Sequence, residues 1–287
     1  MAENVCAGRA VRARFHPSVM SVSNEGTRMP DPRPSFREFS RRLRNRQHLL
    51  GTFVKIPTTH VTEILGFVGF DFVVFDQEHG PLGRDALDVM ILAARASNVA
   101  GIVRVGEPSE ANILSVLDCG ASGILVPHVD TAAKAREIVA ACRYRGGRRG
   151  FANTTRAGDY GGVSFADHMA RQDEEIACIA MIEDIAALDE IDEIVRVEGL
   201  DAIFIGRGDL TAALGAPSMT SPETHKVVAP IMAAAQKVGL PIIMLCPDRA
   251  DAATMAGFGA SAFMISSDHG FIRSAASAAL KEFAPPI

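Results

Sequence analysis

The 287-residue chain has no apolar run near the roughly 20 residues that a bilayer-crossing helix needs, which excludes a transmembrane helix in this sequence. It has no excess of positive charge either. Lys and Arg number 29 against 34 Asp and Glu, a net charge of −5. A nucleic-acid or anionic-membrane partner needs a basic surface, so neither partner is expected. None of the five cysteines forms a C-x-x-C pair and their number is odd, which removes the common zinc and dithiol patterns. Cys119, Cys178 and Cys246 lie in apolar strand or helix contexts, as buried reduced thiols of a cytoplasmic protein do. No histidine motif accompanies any of them, so a cysteine nucleophile is not expected. Lysine is scarce: Lys55, Lys134, Lys226, Lys237 and Lys281 are the full set. Only Lys55 ends an apolar run, so Schiff-base chemistry has a single candidate.

Residues 1–35 lack apolar periodicity and carry Arg9, Arg12, Arg14, Arg28 and Arg33. They contain no continuous apolar h-region and so are no secretory signal. The Arg-rich, acid-poor start has a faint likeness to a transit peptide. The expectation is a disordered tail, or an upstream start codon with Met29 as the true one, ahead of one domain over 36–287.

Internal repetition is the main organising signal. Four stretches share one grammar: GFDFVVFDQEHG (69–80), GASGILVPHVD (120–130), GLDAIFIGRGD (199–209) and GASAFMISSDHG (259–270). Each sets a glycine and a short link before an apolar run and a polar turn. Glycine just past a helix end, followed by an apolar run, is how a helix feeds a buried strand. The runs are almost wholly apolar, as parallel strands covered on both faces are. LLGTFVKI (49–56), GIVRV (101–105), CIAMIE (178–183) and PIIMLC (241–246) bring the number of strands to eight. Helical patterns fall between them at Thr59–Val68, Arg84–Ser97, Glu110–Cys119, Thr131–Cys142, Ile185–Val197, His225–Val238 and Arg249–Phe258, and Phe271–Phe283 closes the chain. Strict alternation with short links predicts right-handed crossovers and a single α/β (β/α)8 TIM barrel. A doubly wound dinucleotide-binding sheet ranks behind it. Its Gly-rich phosphate turn would follow the first strand, where this chain reads Pro57-Thr58-Thr59-His60.

Barrel active sites sit at the C-terminal ends of the strands, so polar residues there are the functional candidates. Glu183 and Asp209 are hard oxygen ligands on adjacent strands, suited to Mg²⁺ or Mn²⁺ with positions left for a chelating substrate. Two unrelated surface acids are the alternative. Gly206 and Gly208 precede a helix at Asp209–Leu214, where backbone N–H groups suit a carboxylate; an ordinary βα turn reads the same way. His79, near Asp76, is a candidate general base. Arg104 interrupts an apolar strand, so it must be paired or face the site, where it would stabilise enolate charge. Asp118 reads equally well as a polar helix-face residue. His128, Asp184, Asp268 and His269 are candidates only for supporting groups around the site. Arg143, Arg145, Arg148 and Arg149 form an anion site or a solvated loop.

At this point the chain resembles the 4-hydroxy-2-oxoheptanedioate aldolase family of the HpcH/HpaI aldolase/citrate lyase group, class II pyruvate aldolases of the phosphoenolpyruvate/pyruvate superfamily. The resemblance runs from about Leu50 to Phe283 on GFDFVVFDQEHGP (69–81), VRV (103–105), LDCGASGILVPHV (117–129), RGGRRG (145–150), MIED (181–184) and VEGLDAIFIGRGDL (197–210). It implies a lyase that cleaves or forms a 4-hydroxy-2-oxo acid through a metal-held pyruvate enolate, with pyruvate and an aldehyde as partners. Aromatic-compound or sugar-acid catabolism is the implied setting. The metal would be Mg²⁺, Mn²⁺ or Co²⁺ on Glu183 and Asp209. His79 would be the base and Arg104 the enolate stabiliser. Asp118 would raise the basicity of the histidine, possibly across a subunit contact. Gly208, Asp209, Met181 and Pro127 would bind substrate. A homo-oligomer is implied, a trimer or a hexamer with exchanged C-terminal helices.

The chain departs from that pattern at three points. Met181 stands where many relatives have Gln, Arg207 stands where a Pro is commoner, and there is no Trp. Arg207 is expected to add a cation near the acceptor aldehyde. Met181 keeps open a barrel that binds a 2-oxo acid without turning it over, and another carbon–carbon lyase of the same superfamily is a further alternative.

Overall fold

In the computed structural model the described residues are 34–284. The expected tail lies outside them up to residue 33, as does Cys6. Eight strands alternate with helices: β1 (Leu49–Val54), β2 (Phe72–Asp76), β3 (Ala100–Arg104), β4 (Gly123–Val126), β5 (Ala177–Ile182), β6 (Ala202–Ile205), β7 (Ile242–Leu245) and β8 (Ala262–Ser267). The helices are α1 (Phe39–Arg44), α2 (Thr59–Val68), α3 (Arg84–Ala96), α4 (Glu110–Asp118), α5 (Ala132–Cys142), α6 (Phe165–Glu175), α7 (Ala187–Ile194), α8 (Arg207–Leu214), α9 (Pro222–Val238), α10 (Arg249–Gly257) and α11 (Asp268–Glu282).

The strands close in sequence order, β1 through β8 and back to β1, and every pairing is parallel. This is the (β/α)8 barrel that the repeated unit predicts. Local chemistry sets the helix ends. Thr58, Ser109, Thr131, Ser221, Asp248 and Ser267 each accept a backbone N–H of their helix's first turn. Gly69 and Gly239 close α2 and α9 in the left-handed conformation.

Two apolar layers hold the structure. The outer one lies between strands and helices and includes Val73, Phe75, Ile124, Ile203, Leu117 and Ile231. The inner one fills the barrel with Leu49, Phe72, Ile102, Ile179, Phe204 and Met264. Gly51 makes the inner packing possible, because a Cβ there would stand 2.4 Å from the Phe72 ring. Two helices escape the sequence pattern. α1 is only six residues long, yet Phe39 and Leu43 join the inner cluster. α6 carries no apolar stripe, since the residues it buries are His168 and Gln172. No described helix is long and apolar enough to cross a membrane. Cys119, Cys142, Cys178 and Cys246 are buried free thiols.

Candidate active site

The C-terminal ends of the strands surround a cavity of about 500 Å³. Phe53, Lys55, His79, Arg104, Met181, Gly208 and Asp209 are among the residues that line it. All of these but Phe53 are sequence candidates, so six of them share one mouth.

β2 and β3 supply its ionic floor. Asp76 and Arg104 are register partners on these neighbouring strands. Arg104 grips the buried carboxylate as a fork, Nε to Oδ1 at 2.9 Å and Nη2 to Oδ2 at 2.7 Å. The Lys55 Nζ adds a contact to Oδ2 at 3.2 Å. Asp76 Oδ1 also accepts the backbone N–H groups of Glu78 and His79. Burial works against the charged form of Asp76. Arg104, the His79 N–H and Lys55 outweigh it and hold the carboxyl below the usual aspartate range. Asp76 lies near His79, as the sequence suggested, but through the backbone and not the ring. Asp76 fixes the His79 backbone, and the nearest acid to Nε2 is Glu78 Oε2 at 3.8 Å. The ring is about half exposed at the rim.

Glu183 follows β5 and is 3% exposed. Its Oε1 accepts the His128 N–H at 2.9 Å, and Asp209 lies near enough to disfavour its charged form. Burial, reinforced by Asp209, pushes Glu183 up to about 7. Gly206 allows the approach, since a Cβ at that position would lie 2.6 Å from the Glu183 Cβ. His128 adopts a left-handed backbone (φ 54°) at the β4 exit, and its Nδ1 meets Asp184 Oδ2 at 3.0 Å. Burial opposes protonation of His128, but Asp184, Glu183 and Glu78 together hold its pKa above the usual imidazole value. Donor atoms of Glu78, His128 and Glu183 lie within 4.8 Å of one another. These three residues make one candidate cation position, and Asp209 is a further acid near Glu183. An oxygen-rich donor set of this kind suits a hard divalent cation. A buried carboxyl near a second one is a further mark of fit, because a cation relieves both.

The β6 exit corrects one expectation. Arg207 does not offer its charge to an acceptor. The side chain is 1% exposed, with Nη1 on Asp251 Oδ1 at 2.9 Å and Nη2 on the Leu245 carbonyl at 2.6 Å. A bare guanidinium cannot be buried unpaired, so the chain folds it back onto α10. The pair ties the first turn of α8, which carries Asp209, to the β7–α10 corner.

Met181 is 3% exposed and lines the cavity as expected. Pro127 is buried at the β4 exit but is not among the residues that line the cavity. Asp118 is not brought to His79. It ends α4 on the side where β4 begins, with Oδ1 3.3 Å from Arg149 Nη2. Within one chain the two residues stand on different ends of the barrel. The arginine cluster is mostly spoken for: Arg143 on Asp201, Arg148 on Glu110 and Arg149 on Asp118.

The model of the HpcH/HpaI aldolase/citrate lyase family matches residues 49–275. This chain belongs to that family. The chain is 35% identical over 240 residues to a 5-keto-4-deoxy-D-glucarate aldolase of Klebsiella pneumoniae, covering 83% of this chain and 93% of that protein. A hydroxypyruvate/pyruvate aldolase of Sagittula stellata is 34% identical over 247 residues, covering 85% and 97%. Among solved structures, the citrate synthase SbnG aligns with a TM-score of 0.77 at 33% identity, covering 85% of this chain and 96% of that one. An HpcH/HpaI family protein from Burkholderia cenocepacia aligns with a TM-score of 0.80 at 25% identity, covering 86% and 98%.

In this HpcH/HpaI chain sequence reasoning gave Glu78 no role and His128 at most a supporting one. Both were visible as polar residues at strand exits, Glu78 inside DQEHG and His128 directly after Pro127. Their approach to Glu183 was not visible, because it depends on barrel closure.

Proposed function

We propose that the chain is a divalent-metal-dependent carbon–carbon lyase that splits a 4-hydroxy-2-oxo acid into pyruvate and an aldehyde, or joins the two. The observation that carries this reading is that Asp209, Arg104 and His79 line one cavity, with buried Glu183 close enough to Asp209 for the second carboxyl to disfavour its charge. Glu183 and Asp209 would hold the cation. We favour this pair over the Glu78–His128 position because Glu78 faces Arg104 Nη1 at 3.2 Å and His128 is engaged by Asp184. When bound, Mg²⁺, Mn²⁺ or Co²⁺ would supply Lewis-acid polarisation of the 2-oxo acid.

The chain's own groups account for the remaining steps. Gly208 leaves its backbone open to a substrate carboxylate at the start of α8, where helix N–H groups point outward. His79 would take the proton of the 4-hydroxyl. The C3–C4 bond then breaks, its electron pair passes to the pyruvate enolate, and the new carbonyl leaves as the aldehyde. Arg104, locked in place by Asp76, faces the growing negative charge without having to reorganise. Protonation of the enolate carbon by the His79 imidazolium restores the base. Met181 offers a thioether where a glutamine would donate, which leaves substrate orientation to Gly208 and Arg104.

Lys55 is a weaker carrier of the chemistry, since its amine is ion-paired to Asp76. Exposed Ile272, Leu280 and Phe283 along and beyond α11 support a homo-oligomer in which this helix meets another copy. The test is a panel of aldehydes with pyruvate and each metal, scored for aldol product. Product that is lost on EDTA treatment, with no borohydride trapping of pyruvate, is the expected result. Full activity after chelation, or no product from any aldehyde, overturns the reading.

A further inference from the structure

We infer that Lys134 is a positioning residue for Glu183, acting through the backbone of His128. The inference rests on the reading of Glu183 as a metal ligand and deepens it, by naming what fixes the direction of that carboxylate.

The contacts run outward from the carboxylate. Glu183 Oε1 accepts the His128 N–H at 2.9 Å. Oε2 lies on the β6 side, 2.8 Å from where a Cβ on Gly206 would stand, and the β6 exit leads to Asp209. A carboxylate that gives one oxygen to a fixed N–H presents the other in one direction. The His128 N–H therefore decides where Glu183 points.

That N–H is aimed by a conformation that histidine adopts at a cost. His128 has φ 54°, directly after Pro127. Such a residue stays left-handed only when the peptide groups on both sides of its Cα are held. The peptide before it is held by Glu183. The peptide after it is held at both polar groups. The Val129 N–H is donated to the Met181 carbonyl at 3.1 Å, and the His128 carbonyl accepts from Lys134 Nζ. Without the ammonium, this second peptide keeps one bond of its two, and relaxation at residue 128 turns the first N–H away from Glu183.

The place of Lys134 shows that the contact is specific. It is the third residue of α5, where the positive end of the helix disfavours a cation. Among the described residues no acid pairs with it. Its own N–H is donated to the Thr131 hydroxyl at 3.3 Å and the neighbouring Ala132 N–H to Glu190 at 2.9 Å. The first turn of α5 is thus a fixed base from which the amine reaches back to the His128 carbonyl. The His128 imidazole is engaged elsewhere, with Nδ1 on Asp184 at 3.0 Å, so the link to Lys134 runs through the main chain.

The experiment is calorimetry with Mn²⁺ on the full chain, without substrate. Lys134→Met should weaken Mn²⁺ by about tenfold or more, the scale of losing a group that orients a metal ligand. Lys134→Arg, whose guanidinium can donate to the same carbonyl, should restore most of the affinity. Glycine at 128 separates backbone strain from charge, because glycine takes the left-handed conformation freely. Whatever His128→Gly does by itself, adding Lys134→Met to it should change the affinity by less than about threefold, since the strain that Lys134 restrains is gone. An equal loss in both backgrounds overturns the inference, because Lys134 would then act by charge alone. A second measurement needs neither metal nor substrate. Amide exchange followed by mass spectrometry should show the 127–131 link opening about tenfold faster in Lys134→Met, with β4 and β5 unchanged. Exchange or affinity that ignores Lys134 overturns the inference even if the aldehyde panel yields product. Affinity that follows Lys134 in wild type and not in the glycine background sustains it even if the panel yields none.

Discussion

Asp76 and Arg104 end two neighbouring strands as direct register partners, and their side chains close a two-bond fork at 2.9 and 2.7 Å. Strand pairing delivers the two charges to the same height, and burial makes each depend on the other. Arg104→Met should leave Asp76 buried against Lys55 alone. The expected cost is about 3–5 kcal/mol in urea unfolding, typical of a buried pair broken on one side. Aldol turnover should fall more than tenfold, or about 1.4 kcal/mol of barrier. Arg104→Lys keeps the charge but loses the fork, so it should recover part of the stability and little of the rate. The Asp76 carboxyl is held below its unfolded value. Its contribution is therefore present above pH about 4 and is lost as pH falls through the lower folded value, a decline that Asp76→Asn should not share.

Glu183→Gln should abolish Mn²⁺ binding in calorimetry and metal-dependent turnover with it. The fold should survive, with a thermal midpoint no lower than the wild type's, because an amide removes the burden of a buried ionisable group. Retained Mn²⁺ affinity in this variant would place the cation on other residues.

Metal affinity should depend on pH through the same carboxyl. Glu183 sits near 7 because burial and Asp209 favour its protonated form. A protonated carboxyl must release its proton to ligate. Apparent affinity for Mn²⁺ should therefore rise roughly tenfold per pH unit below 7 and level off above it. The metal-free protein should behave in the opposite sense. Because the folded value is raised, this group's stabilisation is complete below the unfolded value and declines as pH climbs through 7, and Mn²⁺ should reverse the decline. A flat affinity profile between pH 5 and 8 would contradict the assignment.

Arg207 and Asp251 form a second buried pair, 2% and 7% exposed. Arg207→Met alone should cost about 3–5 kcal/mol, and the double variant Arg207→Met/Asp251→Leu far less than the sum of the single changes. The Asp209 turn is anchored by this pair, so Arg207→Met should also weaken Mn²⁺ binding. Stability lost with metal affinity unchanged would limit Arg207 to a packing role.

Much of the fold was legible because its signals are local. The apolar runs of β2, β4, β6 and β8, with glycine before each, repeat a grammar that only a parallel strand fed by a helix satisfies. Thr59–Val68 was recovered to the residue, since Thr58 caps one end of α2 and Gly69 the other. α1 and α6 were missed for the opposite reason. α1 is too short for a period to register, and α6 buries His168 and Gln172, whose polarity hides the buried face.

At the site, the sequence named His79, Arg104, Glu183 and Asp209 because charged residues are rare at the ends of buried strands. It did not show that Asp76 would be gripped by Arg104, and it misjudged Arg207. A one-dimensional pattern reveals that a charge needs a partner but not which of several elements supplies it. Asp251 lies 44 positions from Arg207 and Asp76 lies 28 from Arg104.

Sequence alone determined the barrel, the number of its strands and the residues at their exits, because period, glycine punctuation and capping act over a few positions of chain. Closure of the eight strands decided the rest: that Glu183 comes near Asp209 and meets His128, that Arg207 turns inward, that Asp118 stays at the far end, and that Lys55 stands over the cavity. Each of those is a contact between segments distant in sequence, set by strand register and by the high cost of burying a charge without a counter-charge.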